Sequence, residues 1–286
     1  MAPFIKLFTN DDRLSNYFYS LTNDNNESLN DYIALADKTI LVVDDNTINV
    51  EIASHLLKLV NVNVLTANTG DGALAVLTEK AKHNEPVDAI LMDCQMPIMD
   101  GYEATQRIRA GEGGQVFLDI PIIALTANAM SDERKKCLDI GMSDYLTKPI
   151  DADVLFNLLA SLILNDDNVL ITQAQPQLPK ANSLDKKTAL ERLMNDESIY
   201  QELARIFKHD TPKKIAQIKA AIAISAHDKI KSASHALKGT SSSLGANILN
   251  NIACEFEQAA INENSLAYDD LMKALESEFA RVIQQF

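Results

Sequence analysis

The sequence predicts two units in tandem: a doubly wound α/β domain on a five-stranded parallel sheet, then an all-α helix bundle. Three observations carry this. Between residues 39 and 163, five short β-rich runs alternate with helix-length amphipathic segments, and such alternation builds a parallel sheet with helices on both faces. After Ser183 the strand pattern stops and helical periodicity continues to the end of the chain, as in a bundle. Residues 164–182 (LNDDNVLITQAQPQLPKAN) are mostly polar with Gln and Pro, the composition of a linker. A length of 286 residues fits two domains of roughly 100–200 residues each.

The strands are expected at 39–43, 63–67, 89–92, 122–125 and 144–147. The helices of this domain are expected at 47–60, 70–83, 101–110, 131–140 and 151–163. Right-handed crossovers then leave a doubly wound sheet as the natural topology, taken in the order 2-1-3-4-5, one of the two common orders known for such sheets. The first domain spans 38–163 and the helix bundle 183–286, the latter closing with an amphipathic run near 271–286. Residues 1–37, rich in Asn and Asp with scattered aromatics, read as an N-terminal tail.

The formal net charge of −14 opposes binding to nucleic acid or acidic membranes, because like charges repel. The longest basic run, Arg134-Lys135-Lys136, is too short to reverse this. Cys94, Cys137 and Cys254 are far apart without metal-ligand spacing, which suits free thiols in a reducing compartment. No apolar stretch approaches the ~20 residues that span a bilayer, and the N-terminus has no secretory pattern. The expectation is a cytoplasmic protein that neither inserts into membranes nor binds DNA.

Strand one runs into Asp44 and Asp45, and strand three into Asp93. In an open α/β sheet ligands bind beyond the carboxyl ends of the strands, where strand order reverses. Here that point lies between strands one and three, so the three carboxylates converge. Crowded carboxylates repel each other, and a hard, oxygen-seeking cation such as Mg²⁺ relieves this. Strand four ends at the hydroxyl of Thr126, and strand five at the ammonium of Lys148. Carboxylates, metal, hydroxyl and ammonium are the parts needed for in-line phosphoryl transfer.

The stretches ILVVDDN (40–46), MDCQMPIMDGYEAT (92–105), ALTAN (124–128) and DYLTKP (144–149) resemble the receiver domain of response regulators, a flavodoxin-like fold. The resemblance implies that Asp93 is phosphorylated. It implies Mg²⁺ on Asp45, Asp93 and the backbone carbonyl of Gln95, with Asp44 assisting. Thr126 and Lys148 would grip the phosphoryl oxygens, and Tyr145 would be an aromatic switch coupled to Thr126. A cis Lys148–Pro149 bond is implied, and Gln95 and Asn128 would tune hydrolysis of the aspartyl phosphate.

His55, His83, His209 and His227 read as surface or structural residues. His235 stands apart. At about 100° per residue, Ile230, Ala233, Leu237, Ser241 and Leu244 share one face of its helix. His235 falls roughly opposite with Lys238, Gly239 and Ser242, and is expected to face solvent. A mid-helix glycine costs about 1 kcal/mol relative to Ala, which close approach by another protein over the histidine would explain. Imidazole is a good nucleophile near neutral pH.

His235, Lys238, Gly239, Leu244, Gly245 and Ala246 resemble the histidine-phosphotransfer (HPt) motif H-x-x-K-G followed by L-G-A. That resemblance implies a phosphorylated His235, with Lys238 helping to neutralise the phosphate and Gly239 letting a receiver close over it. An ATP-binding kinase domain and a helix-turn-helix are not seen. The implied function is a phosphorelay intermediate between an upstream histidine kinase and a downstream response regulator. A phosphorylation-gated interaction module and a phosphate sink are the alternatives. The chain, beginning at Met1, fits either a free-standing protein or the tail of a hybrid sensor kinase, and transfer between Asp93 and His235 within or between chains stays open.

Overall fold

The structure is a computed structural model describing residues 35–127, 131–164 and 183–286. The N-terminal tail up to residue 34, the stretch 165–182 of the expected linker, and Asn128 lie outside the described residues.

The first domain alternates β1 (Thr39–Val43), α1 (Thr47–Leu59), β2 (Asn63–Ala67), α2 (Gly70–His83), β3 (Ala89–Asp93), α3 (Gly101–Arg109), β4 (Ile122–Thr126), α4 (Ser131–Ile140), β5 (Asp144–Thr147) and α5 (Ala152–Leu164). All strand pairs are parallel, in the order β2-β1-β3-β4-β5. The central strands β3 and β4 are buried at every residue, as strands covered on both faces must be. They run one residue further than expected, so Asp93 and Thr126 are the last strand residues, hydrogen-bonded into the sheet rather than free in the following loop. Asn46, Thr69 and Asp100 cap α1, α2 and α3 through their side-chain oxygens, satisfying backbone N–H groups that a helix start leaves open.

One part of the expected tail belongs to the domain. Leu35 is fully buried in the core, and the Asp37 backbone N–H donates to the Asn61 carbonyl at 3.0 Å.

The second domain contains α6 (Lys186–Arg192), α7 (Glu197–Ala223), α8 (His227–Ser243), α9 (Asn247–Ile261) and α10 (Tyr268–Ile283). Phe207, fully buried, meets Phe279 and Phe286 with ring centroids 5.8 and 5.9 Å apart. Gly245 ends α8 with φ of +75°, and a Cβ there would lie 2.4 Å from the Asp185 carbonyl oxygen. Only glycine fits that turn, so the L-G-A signature is a packing requirement that seats the start of α6 on the end of α8.

The two domains share a boundary along α1. Helices α7 and α8 pack on it, and one continuous apolar cluster runs from β1, α1 and α5 into the bundle. Of the 13 residues of α1 only Thr47 and Lys58 are exposed. One face lies on the sheet, and the bundle covers much of the other.

Candidate functional site

The fold gathers the expected receiver residues at the carboxyl edge of the sheet. Asp44, Asp45 and Asp93 offer carboxylate oxygens all within 4.8 Å of one another. Lys148 Nζ reaches Asp44 Oδ2 at 2.7 Å and Asp93 Oδ2 at 2.8 Å. The Lys148–Pro149 bond is cis, and the Lys148 backbone N–H donates to the Thr126 carbonyl at 2.7 Å, which ties the loop after β5 to the end of β4. Thr126 is buried at the same edge. The Gln95 backbone N–H donates to Asp93 Oδ1 at 3.2 Å. Tyr145 is half-buried, with the Arg134 guanidinium 5.7 Å from its ring centroid.

The start of α1 steadies this pocket. Asp44 accepts from the Asn46 backbone N–H at 2.8 Å and, through both oxygens, from Asn49 Nδ2 at 3.1 Å. Burial pushes the Asp93 carboxyl up to about 7, against the pull of Lys148 and with added repulsion from Asp44. Burial, then Asp44, also raises Asp45. Burial disfavours the Lys148 ammonium, yet Asp44 and Asp93 together hold its pKa above the ordinary lysine value. A compact set of hard oxygens with a surplus of negative charge fits a small divalent cation such as Mg²⁺.

His235 lies in α8, and its surroundings differ from the expected open face: the side chain is only 13% exposed. Glu257, from α9, takes Nδ1 at 2.9 Å through Oε1 and Lys238 Nζ at 2.6 Å through Oε2. The wheel placed His235 correctly off the bundle core, but that face is occupied. The helix that carries His235 meets the edge of the acidic pocket: Asn46 Nδ2, beside Asp45, donates to Thr240 Oγ1 at 2.7 Å. Lys238 is engaged by Glu257 rather than standing open for a phosphate. Gly239 faces Asn49 and Asn46, at 3.6 and 3.8 Å from where a Cβ would be.

Sequence reasoning missed Glu257, Asn49 and Lys214. Glu257 is 22 residues from His235 on a different helix, so no spacing rule pairs them. Burial alone would raise its carboxyl, but the hydrogen bonds from His235 and Lys238 outweigh this and hold it at about 2. The lowered pKa contributes about 2 kcal/mol of stability above the ordinary glutamate value, lost as pH falls through the folded one. Glu257→Gln is expected to flatten the acid limb of the stability curve, read by urea melts from roughly pH 5 down to pH 2. An acid limb as steep as that of the unaltered protein would show that the pair contributes nothing.

Residues 40–160 match the family model for the response regulator receiver domain, and residues 202–285 that for the Hpt domain. Histidine kinase 1 of Arabidopsis thaliana is 57% identical over 81 residues, 28% of this chain and 7% of that protein. Sensor histidine kinase RcsC of Salmonella typhimurium is 40% identical over 150 residues, 50% of this chain and 15% of that protein. The chain thus spans no more than 15% of the length of these curated relatives. Among solved structures, the receiver domain of sensor histidine kinase PA1611 from Pseudomonas aeruginosa, with magnesium in its active site cleft, is 38% identical with a TM-score of 0.40. That match covers 45% of this chain and 98% of that one. The receiver domain of histidine kinase CKI1 from Arabidopsis thaliana, complexed with Mg²⁺ and BeF₃⁻, is 36% identical with a TM-score of 0.40, covering 48% and 93%. No helix among the described residues is long and apolar enough to cross a membrane.

Proposed function

Since this chain joins a response regulator receiver domain to an Hpt domain, and so is a two-component phosphorelay protein, we propose that it relays a phosphoryl group from an upstream histidine kinase through Asp93 and His235 to a downstream response regulator. The observation that carries this reading is the buried Asp93–Lys148 contact at 2.8 Å among Asp44 and Asp45, with the helix that carries His235 hydrogen-bonded to Asn46 at the edge of the same pocket.

Asp93 is the acceptor: its carboxylate oxygen forms the new bond to phosphorus, and the donor imidazole leaves with the electron pair. Lys148 stands beside the same carboxylate, placed to pair with a phosphoryl oxygen, and Thr126 closes the same edge. Mg²⁺, held by Asp44, Asp45, Asp93 and the Gln95 carbonyl, would neutralise charge on the phosphoryl oxygens. At the second station Glu257 holds Nδ1 of His235, which leaves Nε2 as the nucleophile. The two stations alternate in character, acidic pocket then imidazole.

The test is exposure of the purified chain to acetyl phosphate and Mg²⁺, with intact mass and label lability as readouts. A base-labile label on Asp93 and a base-stable label on His235 are expected. Asp93→Asn should lose both, and His235→Gln only the base-stable one. A base-stable label that persists in Asp93→Asn would overturn the order of transfer. No label on the unaltered chain would overturn Asp93 as an acceptor from this donor.

A further inference from the structure

The helices packed on α1 suggest which histidine the acidic pocket serves. We propose that the Hpt domain docks on the receiver of its own chain, so that Asp93 and His235 of one molecule exchange the phosphoryl group in cis. This rests on the relay reading and names the partner for one of its steps.

The docking surface is specific in its polar contacts. At the start of α1, Asn46 Nδ2 donates to Thr240 Oγ1 at 2.7 Å and to the Ala236 carbonyl at 3.1 Å, both on the helix that carries His235. Nine residues along, His55 Nε2 lies 3.3 Å from Asp196 Oδ2, the cap of α7. At 1.5 Å per residue these two contacts are about 13 Å apart, enough to fix orientation as well as position. Gly239 faces Asn46 and Asn49 at ordinary van der Waals distance, and Asn49 also binds Asp44 in the pocket.

Charge is complementary too. Lys214, from α7, donates to Thr240 Oγ1 at 3.1 Å. Among the described residues no carboxylate lies within ion-pair distance of it, although Asp45 is the charge it feels most. A half-buried cation held by neutral oxygens beside an acidic pocket is placed to meet added negative charge.

In the transfer step the Nε2 lone pair of neutral His235 attacks the phosphorus on Asp93. The N–P bond forms as the P–O bond to Asp93 breaks, and the electron pair returns to the carboxylate. The proton stays on Nδ1, and Glu257 neutralises the resulting imidazolium. No other reactant is consumed.

Tethered domains have effective concentrations in the millimolar range. At about 1 µM chain, transfer within a molecule would then outrun transfer between molecules by about a thousandfold. The test is appearance of the base-stable label, from acetyl phosphate and Mg²⁺, across a hundredfold range of chain concentration. It is paired with a mixture of Asp93→Asn and His235→Gln chains. A rate independent of concentration, and a mixture that fails to complement at low concentration, are expected. A rate proportional to concentration, or a mixture matching the unaltered chain, overturns the proposal.

His55→Glu supplies a second arm, since it sets a like charge against Asp196 far from the phosphoryl chemistry. It should leave the base-labile label intact, slow the base-stable label at least tenfold, and raise hydrogen exchange in residues 46–56. Unchanged exchange and unchanged transfer would overturn docking. If exchange rises throughout the sheet, the variant has lost its fold and the mixing result decides. If no chain takes any label, the relay reading fails, and exchange in residues 46–56 still decides docking.

Discussion

Lys148→Met is expected to lower stability by about 3 kcal/mol in metal-free buffer, with Mg²⁺ restoring most of the loss. Lys148 is 7% exposed and sits between Asp44 and Asp93, which are 0% and 3% exposed. A buried ion pair contributes little net stability, but removing one partner leaves the other charges without compensation. Here two carboxylates would face each other with no cation. Taking up a proton softens the penalty, and the raised pKa of Asp93 already leans that way. A divalent cation relieves it better. At a hundred times its dissociation constant it adds about 2.7 kcal/mol, and the variant, with one positive charge fewer, should bind it more tightly than the unaltered chain. Urea melts with EDTA and with Mg²⁺ read both quantities. Equal stability of the two proteins in EDTA would show that Lys148 offsets no repulsion. Equal gains from Mg²⁺ would show that ammonium and metal do not answer the same charges.

That charge balance was legible in the amino-acid order because its parts are local. Each acid, hydroxyl or ammonium closes a strand, and short β-rich apolar runs mark the strands themselves. The Hpt histidine was legible for a related reason: residues 230–246 alone place it off the bundle core. What stood outside reach was long-range. TINVEIASHLLKL in α1 reads as an ordinary amphipathic helix, with His55 a surface or structural residue. The structure buries Asn49 and Ser54 and pairs His55 with Asp196, because a second domain covers that face. A polar residue facing a partner helix looks, in sequence, like one facing water. The same ambiguity made His235 look open and left Glu257 unnoticed.

Gly101→Ala should be nearly as damaging as loss of Lys148, although alanine is the better helix former by about 1 kcal/mol. Gly101 opens α3, directly after its cap Asp100, and its backbone N–H donates to the Cys94 carbonyl at 3.3 Å. A Cβ there would sit 2.1 Å from the carbonyl oxygen of Asp93 and 2.9 Å from Met92 Cγ. The first contact is with backbone, not with the end of a flexible side chain, so either α3 or the end of β3 must move. Both are anchored: β3 is central in the sheet, and Thr105 Oγ1 donates back to the Gly101 carbonyl at 2.7 Å. Overpacking of this kind costs about 1–3 kcal/mol. The functional loss should exceed the loss of stability, since a shift of about 1 Å in a reacting group can cost about a hundredfold in rate, and the strand residue displaced is Asp93, the proposed phosphoryl acceptor. Gly72→Ala is the matched comparison. Its Cβ would meet Thr69 Oγ1 at 3.2 Å and Ala67 Cβ at 3.4 Å, contacts with the side chains of the α2 cap and of the last residue of β2 that small adjustments relieve. Labelling by acetyl phosphate should fall steeply in Gly101→Ala and stay near that of the unaltered chain in Gly72→Ala. Equal labelling in both would mean that the end of β3 yields without displacing Asp93, and that the glycine after Asp100 serves the start of the helix rather than the site.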